Sequence, residues 1–520
     1  MGTTYKWKRR PYRHQVEAVK QGVRALQKTG GFALLMAPRT GKTKTASDIS
    51  AIMHLKGLVN RVLIICPISA IDVWVKELEA NVPYPMRIVI WDRQGRKTTE
   101  LPKWGTDYLD IVIVNYDAFS TPGVKRGARS TGKYAILAAI RRWQPQLAIL
   151  DESHRIKSPS AAKTRTITQL AWQERRPRGK PIYLENLIPY RLILTGTVLT
   201  KKKRIFDIYS QWKFLNPYSK LVRGMTLDSF KKLYSVWTER NGYPQWLRNK
   251  SNAEDILRRR MHKDAFAITR DECYDLPGRL DPVIIKVPLV KSAKYYDEMA
   301  EEMIIQLKGG EFSWAKIPLV QRLRLAQITG GILKIEPKDP EDPDDKGRLV
   351  RVGDEKLKIL ADILIDLHEQ GEKVVIGARF RGDISSIRRL CVKMKIPVFE
   401  VHGGISAARK GGKPSERDEM IQGFTAAEGC AVFIGQPAAA SEAIDLRTAG
   451  TMIWYSLVPS WVQFTQFEDR IALNGKALRY IYLLAEGTVD ELQYADLMED
   501  GDMAKRITDS PDRLRRNFKA

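Results

Sequence analysis

Short apolar, β-branched runs recur along the chain, and a longer mixed segment follows each of them. Continuous runs of this kind are typical of strands buried on both faces of a parallel sheet, with helices between the strands. The first half carries them at Ala33–Ala37, Val62–Cys66, Ile111–Asn115, Leu147–Leu150 and Leu192–Thr195. The second half carries them at Val374–Ala378, Ala431–Gly435, Met452–Tyr455 and Tyr480–Leu484. Two sets of strands predict two α/β lobes.

The pattern changes between the two sets. Residues 216–270 are rich in Lys, Arg, Trp and Tyr and predict helices, as do Tyr295–Leu307 and Leu319–Ile328. The acidic, Pro-rich segment Lys338–Arg348 has no apolar anchor, which favours an exposed loop or linker. The predicted domains are therefore an N-terminal lobe at 1–215, a helical insertion at 216–280, a helical segment and linker at 281–350, and a C-terminal lobe at 351–520.

Composition points to a polyanionic partner. The formal net charge of the 520-residue chain is +27, and nucleic acid is the commonest polyanion that such an excess attracts. A solubilising surface or affinity for anionic membranes are the alternatives, and each basic cluster alone is typical of a solvated face. The clusters are Lys6–Arg13, Arg175–Lys180, Lys201–Arg204, Arg258–Lys263 and Arg513–Lys519.

The chain carries no pattern of secretion or of membrane insertion. Its N-terminus has no apolar stretch and no run approaches a membrane span, so we expect an intracellular protein without a membrane partner. Four scattered cysteines without a CxxC pair argue against a disulfide scaffold and a zinc module, and they fit a reducing compartment.

A candidate phosphate-binding loop follows the first apolar run. Gly41, Lys42 and Thr43 stand where a strand leads through a turn into a helix, whose N-terminal N–H groups can cradle phosphates. Lys42 then reaches the β- and γ-phosphates of a nucleotide, and the Thr43 hydroxyl holds Mg²⁺. Met36 replaces the first glycine of the full pattern, so a chance match at a helix start is the alternative.

Two carboxylates end the fourth apolar run. Asp151 and Glu152 stand where an α/β sheet presents its ligand-binding edge. There Asp151 can hold Mg²⁺ and Glu152 can activate the attacking water. A helix cap is the alternative role of the pair, but a phosphate-binding loop on the same sheet favours catalysis.

These motifs together resemble superfamily 2 helicases. Residues 151–154 resemble the DExH box, and Pro11–Gln15 resembles the motif in which a glutamine, here Gln15, reads adenine. Ile65–Glu77 resembles motif Ia in its Swi/Snf-type form, and Val112–Tyr116 resembles motif Ib. Leu192–Thr197 resembles motif III, which couples the nucleotide site to the rest of the motor.

The resemblance continues in the second half of the chain. Lys373–Phe380 is similar to motif IV, and the block from Val401 to Phe424 resembles the one that follows. Ser441–Leu446 stands at the place of motif V, and Gln466–Arg470 matches the start of motif VI. The chain is identified as a compact Swi/Snf-type member, of the kind expected from a phage, a virus or a bacterium, acting in bacterial cytoplasm or an infected host cell.

The resemblance implies two RecA-like lobes, ATP and Mg²⁺ as cofactors, and a set of site residues. Lys42, Asp151, Glu152 and Arg470 would be catalytic, with Thr43 and Asp151 on the metal. The nucleotide would be bound by Gln15, Thr40, Gly41, Lys42, Thr43 and Gln466. The residues that couple the nucleotide site to the rest of the motor would be His154, Thr195, Gly196 and Thr197. A histidine after two acids can also cap a helix, which is the alternative role of His154. Contacts to the nucleic-acid backbone would come from the side chains of Ser69, Asn115, Arg379, His402 and Ser441.

One position departs from the family. Motif VI normally carries two arginines that face the nucleotide, and Leu473 stands at the second. Because losing an arginine finger costs about 10³–10⁵ in rate, either Arg470 or Lys476 serves alone or hydrolysis is weak.

Three functions remain open at this point. The first is an ATP-driven translocase on double-stranded DNA that remodels or displaces bound proteins. The second is a helicase that separates strands or migrates branched DNA in replication or recombination. The third is a nucleotide-gated DNA-binding protein with weak hydrolysis, which Leu473 favours.

Overall fold

The computed structural model describes most of the chain. The described residues are 5–91, 101, 107–119, 131–175, 183–199, 205–240, 243–269, 272–273, 280–302, 304–306, 312–314, 318–336, 348–406, 415–440, 444–472 and 478–508. The predicted linker Lys338–Arg348 lies outside them except for its last residue. No described helix is long and apolar enough to cross a membrane.

The chain divides into two compact units. One contains Met1–Asp275 together with Asp500–Ala520, and the other contains Leu276–Glu499. Each unit has its own parallel sheet, and the two are described separately below.

The first unit is built on a parallel sheet that has seven strands within the described residues, in the order β11-β1-β8-β5-β2-β4-β3. Strands β6 and β7 pair with each other, as do β9 and β10. The strands are β1 (Gly31–Met36), β2 (Arg61–Cys66), β3 (Met86–Ile90), β4 (Leu109–Asn115), β5 (Leu147–Asp151), β6 (Trp172–Arg175), β7 (Tyr183–Asn186), β8 (Tyr190–Leu194), β9 (Ser235–Arg240), β10 (Tyr243–Asn249) and β11 (Ala265–Ile268).

Helices cover both faces of this sheet. They are α1 (Arg13–Thr29), α2 (Lys42–Leu55), α3 (Ile71–Asn81), α4 (Thr131–Trp143), α5 (Ala162–Ala171), α6 (Asp207–Leu215), α7 (Leu227–Tyr234) and α8 (Ala253–Met261). Strands β1, β2 and β4 are buried along their whole length, and their alternate side chains feed two separate apolar cores. Burial on both faces explains why these strands are continuous apolar runs in the sequence.

The segment 216–270 differs from its helical prediction. It contains α7 and α8, but β9 and β10 form an antiparallel hairpin and β11 pairs in parallel with β1 at the edge of the sheet. The hairpin is stabilised by Trp237, which lies directly opposite Trp246, a cross-strand pair that periodicity along one strand does not show.

The second unit is built on a parallel sheet that has six strands within the described residues, in the order β12-β21-β20-β17-β19-β18. Two small antiparallel pairs, β13 with β14 and β15 with β16, lie outside it. The strands are β12 (Val283–Val287), β13 (Ile304–Gln306), β14 (Phe312–Trp314), β15 (Ile332–Ile335), β16 (Arg348–Arg351), β17 (Val374–Gly377), β18 (Val398–Val401), β19 (Val432–Gly435), β20 (Thr451–Trp454) and β21 (Arg479–Ala485).

The helices of this part of the chain are α9 (Ala293–Glu301), α10 (Pro318–Ile328), α11 (Glu355–Glu369), α12 (Arg381–Lys393), α13 (Glu416–Ala426), α14 (Pro437–Ala440), α15 (Trp461–Glu468) and α16 (Val489–Thr508). The second unit also has an apolar core on each face of its sheet. A buried ion pair between Lys356 on α11 and Asp490 on α16 fastens the two helices together.

All nine predicted strands are present, so the α/β class with two parallel sheets is confirmed. The helix predicted at Tyr295–Leu307 begins at Ala293 but ends at Glu301, and β13 follows it. The four cysteines are buried free thiols.

Candidate active site

Three candidate motifs of the first unit meet because their strands are neighbours. Strand β8 lies between β1 and β5, and all three run parallel. Their carboxyl ends therefore present the phosphate-binding loop, residues 195–197 and the acidic pair at one edge of the sheet.

The phosphate-binding loop turns at Gly41, which has a φ of +87° and precedes the first residue of α2. The positive φ favours glycine, and a Cβ at this position would lie 2.2 Å from Nε2 of Gln15 and displace that side chain. Gln15 Nε2 donates a hydrogen bond to the carbonyl oxygen of Thr40 at 3.2 Å, and a ring nitrogen of His14 lies 2.9 Å from the same oxygen. The predicted adenine-reading residue therefore also supports the turn of the loop.

The Lys42 side chain lies over the loop. Its Nζ donates to the carbonyl oxygen of Met36 at 3.0 Å. Its positive charge favours the ionised form of both Asp151 and Glu152. The loop lysine and the acidic pair, predicted from separate parts of the sequence, therefore share one site.

Asp151 ends β5 in a buried position. Trp74 donates its indole N–H to Asp151 Oδ2 at 2.9 Å, and the backbone N–H of Glu152 donates to Oδ1 at 3.0 Å. The Tyr116 hydroxyl donates to the carbonyl oxygen of Asp151 at 2.7 Å. The carboxylate is thus held by two N–H donors, one on each oxygen, and Tyr116 fixes the backbone of the same residue.

Glu152 adopts a left-handed conformation with a φ of +51°, which is strained for a residue with a side chain. Burial opposes its ionisation, but His154 and Lys42 outweigh burial and hold the pKa of Glu152 below its ordinary value. Burial and the neighbouring Glu152 charge raise the pKa of Asp151. The lowered pKa keeps Glu152 in its carboxylate form at neutral pH.

His154 joins the acidic pair to the residues that follow β8. Its Nδ1 lies 3.3 Å from Glu152 Oε2 and 3.4 Å from the Thr195 hydroxyl oxygen. The Thr195 hydroxyl in turn donates to the carbonyl oxygen of Thr197 at 2.8 Å. Three of the predicted coupling residues therefore form one chain of polar contacts that starts at Glu152.

Gly196 lies where residues 195–197 pack closely against the phosphate-binding loop. A Cβ there would lie 2.9 Å from Cδ of Pro38 and 3.3 Å from the carbonyl oxygen of Met36. Because a side chain would push the two segments apart, glycine keeps residues 195–197 packed on the loop.

The two candidate nucleic-acid contacts of the first unit follow neighbouring strands. Ser69 is half-buried in a short turn after β2. Asn115 ends β4 and is largely buried, and its side-chain oxygen accepts a hydrogen bond from the Ala118 N–H at 3.0 Å. Asn115 therefore also caps the turn after its strand, a structural role that the sequence does not reveal.

In the second unit, Arg379 and His402 follow the parallel strands β17 and β18, which lie on either side of β19. Gln436, directly after β19, ties the two segments together. It donates to the carbonyl oxygen of Arg379 at 3.0 Å and accepts from the Gly403 N–H at 3.1 Å. Ser441 lies outside the described residues.

Arg470 is anchored by the backbone. Its Nε donates to the carbonyl oxygen of Gln466 at 2.8 Å, and Nη1 donates to that of Ile444 at 3.3 Å. The Gln466 side chain is buried. Leu473 and Lys476 lie outside the described residues.

Comparison with known proteins identifies the family. The SNF2-related domain matches residues 14–176, and the helicase conserved C-terminal domain matches residues 355–475. The chain belongs to the Swi/Snf-type ATPases of helicase superfamily 2. The phosphate-binding loop and the DExH box fall in the first match, and Arg379, His402 and Arg470 fall in the second. The two parallel sheets are those of its two RecA-like lobes.

Similar proteins include much longer ones. The human DNA excision repair protein ERCC-6 is 23% identical over 88% of this chain and 29% of its own length. The chicken DNA repair and recombination protein RAD54B is 22% identical over 95% of this chain and 54% of its own length. This Swi/Snf-type ATPase thus spans less than two thirds of either relative.

A solved structure, the Sulfolobus solfataricus SWI2/SNF2 ATPase core in complex with dsDNA, is 17% identical. The match covers 98% of this chain and 99% of that one, with a TM-score of 0.42.

Proposed function

We propose that this chain is an ATP-driven motor that moves along double-stranded DNA and remodels or displaces proteins bound to it. The observation that carries the proposal is the chain of contacts from Glu152 through His154 to Thr195 and Thr197. It links the carboxylate that would activate water to the segment that packs on the phosphate-binding loop. Such a link is what a motor needs to transmit the state of its nucleotide.

The residues present fit ATP with Mg²⁺. The turn at Gly41 leads into the N-terminus of α2, and Lys42 supplies a positive charge beside two carboxylates. Thr43 and Asp151 would hold the metal ion, which would neutralise charge on the phosphates. Glu152, kept ionised, would take a proton from the attacking water, while Trp74 keeps Asp151 in place.

Charge and relatives support duplex DNA as the track. The net charge of +27 favours any nucleic acid, and contacts to phosphates suit a motor because they carry no sequence information. Names of similar proteins refer to DNA excision repair and DNA recombination, and one similar structure is a complex with dsDNA.

The first test is ATP hydrolysis with duplex DNA, single-stranded DNA, RNA or no nucleic acid. Lys42→Ala is the blank, and Lys28→Ala is a matched control, since it removes the same charge from an exposed position of the same unit. We expect hydrolysis in the wild type and in Lys28→Ala, stimulated most by duplex DNA, and none in Lys42→Ala.

Displacement of a third strand or a bound protein from duplex DNA then tests translocation. We expect displacement that requires ATP and Lys42. Stimulation by single strands or forks, with separation of a plain duplex, would replace the proposal with a strand-separating helicase.

Leu473 favours a second candidate, a nucleotide-gated DNA-binding protein with weak hydrolysis. In that case ATP changes the affinity for duplex DNA, while hydrolysis by the wild type stays at the level of Lys42→Ala.

A further inference from the structure

One group of elements in the first unit carries none of the candidate ATP-site residues. Between α6 and β11 the chain forms α7, the β9–β10 hairpin and α8. Among the described strands the hairpin pairs with no partner outside itself, so it does not extend the central sheet.

Tyr234, at the end of α7, is the centre of this group and is fully buried. Its backbone carbonyl oxygen accepts a hydrogen bond from the Lys250 N–H at 3.0 Å. Its hydroxyl oxygen accepts from Arg260 Nη1 at 3.0 Å, and the same Nη1 lies 3.3 Å from the carbonyl oxygen of Lys220. The backbones of Lys220 and Lys250 and the side chain of Arg260, far apart in sequence, are thereby linked through Tyr234 and Arg260.

The Tyr234 module, residues 216–240 and 243–264, is strongly basic. The segment contains 11 Lys and Arg residues against 5 Asp and Glu residues. Two of the carboxylates are already engaged inside the module, since Asp255 pairs with Arg258 and Asp264 accepts from Ser219. Exposed basic side chains remain at Lys220, Arg223, Lys232, Arg248, Lys250, Arg259 and Lys263.

The hairpin is anchored on one side. Trp237 faces Trp246 across the strands, and Lys231 Nζ of α7 lies 5.2 Å from the centre of the Trp237 ring. Arg248 and Leu247 are exposed on the second strand, and 56% of Leu247 is accessible. A two-stranded ribbon of this kind is one of the elements that fit the major groove of duplex DNA.

We propose that the Tyr234 module is a second nucleic-acid contact surface, which grips the phosphate backbone of duplex DNA through Lys220, Arg248 and Lys250. This inference rests on the proposed function, because it takes the DNA track as its ligand. Arg260 is a positioning residue that holds the base of the module through Tyr234. This contact increases the affinity for duplex DNA without depending on base sequence or on the nucleotide site.

The test is the salt dependence of binding to a labelled duplex. The triple variant Lys220→Gln, Arg248→Gln, Lys250→Gln removes three exposed charges and leaves Tyr234 and Arg260 in place. The matched control, Arg24→Gln, Lys28→Gln, Lys56→Gln, removes three exposed charges elsewhere in the same unit. Both variants are checked for unchanged thermal unfolding.

We expect the slope of log affinity against log salt concentration to decrease by about 2 to 3 in the module variant, since each lost phosphate contact contributes about 0.9. The control variant should keep the slope of the wild type. Equal losses in the two variants would overturn the inference, because they would show only a general effect of net charge.

The same titration separates this inference from the proposed function. If the wild type binds duplex DNA and the module variant binds with the same slope, the inference fails and the proposed function stands. If the wild type itself does not bind duplex DNA, both fail. A smaller slope in the module variant alone supports both the inference and the proposed function.

Discussion

Trp74 donates its indole N–H to Asp151 Oδ2 across a separation of 77 residues. Trp74 lies on α3, which follows β2, whereas Asp151 ends β5, and both side chains are buried. The hydrogen bond therefore connects the helix of motif Ia to the carboxylate that would hold the metal ion. It fixes one of the two oxygens of that carboxylate.

Trp74→Phe should lower kcat for ATP hydrolysis. A hydrogen bond to a charged group contributes about 1.5–3 kcal/mol, so a loss felt in the transition state corresponds to about 10- to 100-fold. The control is Trp212→Phe, which removes a buried indole for which the described residues provide no hydrogen-bond partner. Steady-state kinetics that show the same kcat for both variants would contradict a role for the Trp74 hydrogen bond.

Much of the fold was predictable because its strands are buried on both faces. Strands β1, β2, β4 and β5 are apolar from end to end, and burial of both faces demands such a pattern. The apolar pattern does not predict strand β12, which lies at an edge of the second unit's sheet. Val283 and Ile284 remain exposed there, so this strand does not need to be apolar from end to end.

The candidate site was predictable where its chemistry is local in sequence. Lys42 and the acidic pair belong to short motifs whose residue types follow from phosphate and metal chemistry. The contacts that support these residues are not predictable from local sequence. The order of the strands alone brings Trp74 to Asp151 and Gln436 to Arg379. The composition of residues 216–270 predicts helices where the structure has this hairpin. The Trp237–Trp246 pair that stabilises the hairpin forms only across two strands and leaves no periodic pattern along either one.

His154→Ala should uncouple hydrolysis from nucleic acid. The imidazole bridges Glu152 and Thr195, so its removal breaks the chain of contacts while Lys42 and both carboxylates stay in place. We expect stimulation by duplex DNA to decrease by about tenfold or more, as for a coupling free energy of about 1–3 kcal/mol, with basal hydrolysis retained.

The control for this variant is His54→Ala, which removes a histidine of the same unit that contacts only Val59 and Asn60 among the described hydrogen bonds. ATPase assays with and without DNA distinguish the two. Full stimulation of ATP hydrolysis by duplex DNA in His154→Ala would show that the histidine has only a structural role in its turn.

Leu473→Arg should raise DNA-stimulated hydrolysis. Arg470 is the one arginine at the two motif VI positions, and an added arginine that reaches the nucleotide can be worth about 10³-fold or more. Leu473→Gln is the control for length and polarity without charge, and Arg470→Ala should abolish hydrolysis. No gain in Leu473→Arg would mean that Arg470 alone already supplies the charge that the reaction needs.

Asp383→Asn should flatten the pH dependence of stability of the second unit. Burial raises the pKa of Asp383 to about 7, although the Ser456 hydroxyl, which donates to Oδ2 at 2.7 Å, and Lys356 act in the opposite direction. The charge of Asp490 adds to the increase. The folded state therefore keeps a proton on Asp383 at pH values where the unfolded chain, with a pKa near 3.8, has released it.

The sign follows from that difference. The contribution of Asp383 to stability is largest below about pH 4 and is lost as pH rises to about 7, by an amount on the order of 4 kcal/mol. Asparagine keeps an oxygen for Ser456 and has no proton to lose. Urea unfolding at several pH values, followed by hydrogen exchange in peptides of the second unit, should show a smaller decrease between pH 4 and 7 for Asp383→Asn. The control Asp366→Asn changes an exposed carboxyl on α11 and should keep the wild-type profile. Parallel profiles for wild type and Asp383→Asn would show that Asp383 is ionised in the folded protein throughout this range.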